Sequence, residues 1–196
     1  MRYLALGDSI SIDRYTGVRR GGAAAQLAKR LGVRRRDFVN LTRDGERTDG
    51  VLGDLDRDDL RADVVTVTAG GNDFLLGRPV PAIAANLEVI AQRLDPLGAA
   101  VIVNTVYDPT DGDDEVARKR LGIPPEVRVG FDALNGAIKS ITERHGFLLG
   151  DLEILFRGHG VTSDDPWFVL EIEPNLAGAT ATADYWYGLL RAAGVA

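Results

Sequence analysis

Ser9 closes a short apolar run in "LALGDSISID" (Leu4 to Asp13), directly after Gly7-Asp8. A serine hydroxyl at the end of a strand can attack an ester carbonyl, provided that a base takes its proton and fixed donors receive the oxyanion. Two further stretches offer donors. "TAGGNDFL" (Thr68 to Leu75) ends a β-branched run in two glycines and then presents the Asn72 amide; "VNLTRDGERT" (Val39 to Thr48) places Gly45 where a backbone N–H can face a substrate. The alternatives are an Asx turn at Asn72 and a plain turn at Gly45. The chain has two histidines, His145 and His159. His145 stands just before Gly146, a favourable place for a cation at a helix C-terminus. His159 lies between glycines in "FRGHG" (Phe156 to Gly160), a loop free to approach a site. Asp8, Asp13 and Asp73 read as turn and cap residues, so no metal site is expected.

These residues must be positioned by the elements around them. Apolar runs "YLALG", Asp37 to Leu41, Asp63 to Gly71, Ala99 to Val106 and "FLLGDL" alternate with amphipathic segments over 21–32, 48–56, 81–94, 126–146 and 176–190. Thr48 is the expected N-cap of the second of these segments, and Asp108 to Pro125, rich in Gly, Asp and Pro, reads as an irregular surface excursion near a site. Strands apolar on both faces, alternating with helices, predict an α/β fold with a parallel sheet covered on both sides. Groups that do chemistry gather at the carboxyl ends of such strands. Ser9, Gly45, Asn72, His159 and Glu173 all follow strand ends, which puts them on one edge of the sheet. "GVRRGGAAAQL" (Gly17 to Leu27) lacks the Lys-Ser/Thr ending of a phosphate-binding loop, and its glycines are expected to open a packed helix.

The 196 residues fit a single domain over 1–196, large enough to bury a core without cross-links. A net charge of −6 argues against nucleic acid or an anionic membrane as partner. The absence of cysteine removes disulfides and thiolate chemistry. No stretch has the length of a membrane span or of a signal peptide's apolar region, which points to a cytoplasmic protein.

Taken in order, Gly7-Asp8-Ser9-Ile10, Asn40 with Gly45, Gly70-Gly71-Asn72-Asp73 and "IEPNLAGATATA" (Ile172 to Ala183) resemble the four motifs of the SGNH (GDSL-type) hydrolases. The resemblance implies a three-layer, flavodoxin-like, five-stranded parallel sheet, with Ser9 as nucleophile and no cofactor. It also implies an oxyanion hole from the Ser9 and Gly45 N–H groups and the Asn72 side chain. One departure is plain. Glu173 stands where the family has its catalytic histidine, and Leu170 where it has the aspartate three residues earlier. His159 is then the expected base with Glu173 orienting or charging it; the alternative makes Glu173 itself the base. The implied activity is a serine esterase acting on a small acyl ester such as an acetylated sugar, with Tyr107, Trp167 and Phe168 expected to line its pocket. The competing readings are a binding module that kept the oxyanion site and lost the base, and a structural or interaction protein that uses the fold alone.

Overall fold

The structure, a computed structural model, describes residues 1–57 and 59–196. Five strands, β1 (Tyr3–Gly7), β2 (Phe38–Asn40), β3 (Val64–Thr68), β4 (Ala100–Asn104) and β5 (Leu148–Gly150), form a sheet in the order β2-β1-β3-β4-β5, every neighbouring pair parallel. The helices are α1 (Ala23–Arg30), α2 (Thr48–Asp54), α3 (Gly71–Leu75), α4 (Val80–Leu94), α5 (Asp114–Arg120), α6 (Pro125–Arg144), α7 (Leu152–Leu155) and α8 (Leu176–Ala192). A small antiparallel hairpin, β6 (Phe168–Val169) and β7 (Glu173–Pro174), stands apart from the main sheet.

Successive strand side chains point to opposite faces, and both faces are apolar here. Tyr3 and Ala5 of β1, with Val64 and Ile102, pack on the small residues Ala23, Ala24 and Ala28 of α1 and on Trp186 and Leu190 of α8. Leu4 and Leu6, with Val65, Val67 and Val101, face α2, α4 and α6 through residues such as Val51, Ile83 and Leu134. One polar bridge crosses this interior: the Trp186 indole N–H donates to Asn104 Oδ1 at 2.7 Å, and Asn104 Nδ2 donates to the Val67 carbonyl at 2.9 Å. Each buried polar atom of the bridge is thereby matched, as burial demands.

Two expectations are corrected. The 108–125 segment is not irregular throughout; α5 occupies its middle. Asp113 caps that helix, its Oδ1 accepting from the N–H groups of Glu115 at 2.8 Å and Val116 at 3.0 Å. Acidic residues in the first turn and Arg118, Lys119 and Arg120 in the last complement the helix dipole. Thr48 is not the N-cap of α2 but its first helical residue, the cap position being Arg47. The capping comes from Asp73, whose carboxylate accepts from the Thr48 N–H and from its hydroxyl, both at 2.8 Å.

Candidate active site

The end of β1 is pressed against the end of β3. At Gly7, φ is +115° and a Cβ would lie 1.8 Å from the Thr68 carbonyl oxygen, so only glycine fits. Asp8 then donates its N–H to that carbonyl at 2.9 Å. The chain turns at once into a 3₁₀ turn over Ser9–Ser11, capped by Asp8 Oδ1 on the Ile10 N–H at 3.2 Å. This sharp exit leaves Ser9 at the carboxyl edge of the sheet with its N–H turned out of the ladder. Among the described residues, neither the Ser9 N–H nor the Gly45 N–H donates a hydrogen bond within the protein.

Gly45 is carried by the segment following β2, which continues alongside β1: Leu41 donates to the Ala5 carbonyl at 2.9 Å and Arg43 to the Gly7 carbonyl at 2.8 Å. Asn40 sets the turn by accepting from Thr42 N–H and hydroxyl. Asn72 reaches the same segment from α3. Its Nδ2 donates to the Glu46 carbonyl at 2.9 Å, next to Gly45, and its second N–H stays available. Asp73, the next residue, is fully buried and joins the α2 cap to the Arg78 guanidinium at 2.9 Å. Ser9 and Asn72 line one cavity together with Asp8, Tyr107 and Ile172.

Glu173 enters from β7, which packs against the Ser9–Ser11 turn. Its side chain is buried, and Oε2 has no hydrogen-bond partner. Burial raises its pKa; the Ser9 hydroxyl, lying against the carboxyl, favours the charged form, and the Asp44 and Arg14 charges pull in opposite directions. Asp8 is more strongly perturbed. Burial pushes its carboxyl up to about 7 against the Ile10 N–H and the Thr68 side chain, and the Glu173 charge adds to the rise. Tyr107 completes the group: its hydroxyl donates to the Ile172 carbonyl at 2.6 Å, and burial, with Asp8 and Glu173 nearby, keeps it neutral.

The other histidine positions are occupied elsewhere. His159 stacks on Trp167, ring centroids 3.6 Å apart, and its Nδ1 lies 3.0 Å from the Asp165 carbonyl oxygen. Like Glu173 and Gly45, it is not among the residues that line the cavity on which Ser9 opens. The aromatic face of Trp167 holds its ring, and among the described residues no hydrogen bond joins it to Ser9 or Glu173. His145 closes α6 between Asp95 at 2.7 Å and Glu88 at 3.0 Å, a structural tie between α6 and the end of α4. Of the aromatics expected to line the pocket, Tyr107 does so, whereas Trp167 and Phe168 pack around Phe156. Asp8 was legible only as a cap. The signal for its further role is its place inside the Ser9 motif, one residue from the hydroxyl and on the buried side of the turn. Among the described residues no group of His, Asp and Glu could hold a metal ion, and no helix is long and apolar enough to cross a membrane.

The profile of the GDSL-like lipase/acylhydrolase family matches residues 5–181. The fold is shared with a member of the lipolytic G-D-S-L family from Veillonella parvula (17% identity, 97% of this chain and 98% of that one, TM-score 0.74). An acetylxylan esterase from Geobacillus stearothermophilus has the same fold (17% identity, 96% and 93%, TM-score 0.73), as does a phospholipase A1 from Streptomyces albidoflavus (21% identity, 97% and 98%, TM-score 0.66). The sequence has no match among curated proteins.

Proposed function

The chain belongs to the GDSL-like lipase/acylhydrolase family and is a carboxylic ester hydrolase, and from that premise we propose that Ser9 is its nucleophile and Glu173 the base that activates it. Ser9 Oγ attacks the carbonyl carbon of a small-molecule ester while its proton passes to Glu173. The N–H groups of Ser9 and Gly45 and the Asn72 amide receive the oxyanion. Collapse expels the alcohol, which takes the proton back from Glu173 and leaves an acyl-Ser9 ester. Water, deprotonated by Glu173, then releases the acid and returns the proton to Ser9.

The observation that carries this reading is the buried, unpartnered Oε2 of a carboxylate set against the Ser9 hydroxyl. Burying a carboxylate atom without a partner is costly, so the Glu173 carboxyl gains by taking up a proton. Asp8 supports the assignment. Burial pushes its carboxyl up to about 7 and the charge on Glu173 adds to that rise, so the two carboxyls resist carrying charge together. The undonated Ser9 and Gly45 N–H groups, and an Asn72 amide that lines the same cavity as Ser9, support the oxyanion assignment.

The test is hydrolysis of p-nitrophenyl acetate together with covalent labelling by a fluorophosphonate. Ser9→Ala should abolish both. Glu173→Gln should lower turnover roughly 10²–10⁴-fold, the usual worth of a general base, whereas His159→Ala should stay within a few-fold of wild type. The acid limb of the kcat/KM profile should lie above the ordinary glutamate value of about 4.3, because burial raises Glu173. If His159→Ala is inactive and Glu173→Gln active, His159 is the base. If folded wild type neither labels nor hydrolyses, the binding-module reading replaces this one.

A further inference from the structure

The hairpin that carries Glu173 cannot set its own position. Its strands β6 and β7 are two residues each, and a two-stranded hairpin standing alone is marginally stable at best. Tyr107, from the loop after β4, holds it at two points. Its ring packs on Phe156 and on Phe168 of β6, with centroids 4.6 and 5.0 Å away. Its hydroxyl donates at 2.6 Å to the carbonyl of Ile172, the residue before Glu173. Among the described residues, this is the one hydrogen bond that residues 168–174 receive from outside the hairpin, apart from the Ser9 hydroxyl at Glu173. Tyr107 is itself firmly rooted. The Asn135 amide of α6 accepts from the N–H of the neighbouring Val106 and donates to its carbonyl, both at 2.8 Å, and Asn135 and Tyr107 are both buried. Burial also keeps the Tyr107 hydroxyl protonated, so this donor is not lost by titration.

Resting on the reading of Glu173 as the base, we propose that Tyr107 is its positioning residue: the hydroxyl fixes the Ile172 carbonyl, and through that peptide it seats the Glu173 carboxyl against the Ser9 hydroxyl. A base works only within hydrogen-bond reach of the proton it takes, and a displacement of about 1 Å can cost on the order of 10² in rate. Without the hydroxyl, the Ile172 carbonyl must turn to water, and the hairpin loses its tie to the loop after β4. The same loosening opens Glu173 to solvent. The groups that act on its charge from other elements are Asp8 and the Ser9 hydroxyl on the turn after β1, Arg14 and Tyr15 just beyond, and Asp44 beside Gly45. Tyr107→Phe alters none of these. What changes is burial, the largest cause of the raised Glu173 pKa, so loosening lowers that pKa.

Tyr107→Phe keeps the ring and removes only the hydroxyl. With p-nitrophenyl acetate, kcat should fall roughly 10–10²-fold while KM stays close to wild type. The acid limb of the kcat/KM profile should move down towards about 4.3, the ordinary glutamate value. Because the hydroxyl acts through Glu173, adding Tyr107→Phe to Glu173→Gln should cost nothing further. If Tyr107→Phe does not fold, Phe168→Leu, which loosens β6 from the same ring, is read in the same way. Wild-type kcat and acid limb in the folded variant, with Glu173→Gln impaired, overturn the positioning role and leave the base in place. Losses that multiply in the double variant overturn it as well, because the hydroxyl then acts on the substrate directly. Full turnover in Glu173→Gln overturns the assignment of the base itself.

Discussion

Replacing Asp8 with asparagine should stabilise the protein at neutral pH and leave it unchanged in mild acid. Folding raises the Asp8 carboxyl to about 7, with burial the largest cause, while in an unfolded chain it titrates near 3.9. Between those two values the folded state holds a proton that the unfolded state has lost, so stability falls as the pH rises through the window and levels off above it. About three pH units at 1.36 kcal/mol each amount to ~4 kcal/mol, as an order of magnitude. The group is buried, so solvent screening does not reduce this figure. Asparagine keeps an oxygen for the Ile10 N–H and carries no charge. Urea unfolding of wild type and D8N, followed by circular dichroism from pH 4 to pH 8.5, measures the effect. The two curves should meet near pH 4 and separate by a few kcal/mol at pH 8, with D8N the more stable. Parallel pH profiles, or a D8N protein weaker than wild type at pH 8, would refute the claim that Asp8 resists ionisation in the fold.

Asn72→Ala should cut turnover about 10²–10³-fold, the usual loss of one oxyanion donor, and cost about 1 kcal/mol of stability for the bond to the Glu46 carbonyl. Steady-state kinetics and a melt of the same sample check both. Asp73→Ala should destabilise by about 3 kcal/mol, since it strips the α2 cap and leaves Arg78 unpaired; a denaturant titration reading under 1 kcal/mol would contradict the capping role.

The sheet could be read from the chain because β1, β3 and β4 are buried on both faces and their residue types say so at every position. The Ser9, Gly45 and Asn72 positions were legible for a related reason: each comes a few residues after a strand end, and a parallel sheet puts those ends on one edge. What escaped depends on contacts between distant segments. The Asp73 cap of α2 spans twenty-five residues of sequence, and a local reading gave that duty to Thr48. In the 108–125 segment, glycine and proline content hid α5, although Asp113-Asp114-Glu115 followed by Arg118-Lys119-Arg120 is a helix charge pattern. The stacking of His159 was not legible, because two flanking glycines suggest freedom while its partner, Trp167, lies outside the local window.

The hairpin that delivers Glu173 pairs only with itself, and its turn holds Leu170 and Glu171 at φ of +47° and +73°. Leu170 is largely exposed there, so its side chain repays little of the backbone strain. On the proposed assignment, Ser9 and the oxyanion donors follow strands of the central sheet, whereas the proton acceptor comes from a separate hairpin packed on the Ser9–Ser11 turn. Leu170→Asp with Glu173→His would write the Asp-x-x-His spacing onto this backbone, and aspartate tolerates the left-handed conformation better than leucine does. On the proposed assignment, such an exchange would change the proton acceptor while every strand of the central sheet keeps its sequence.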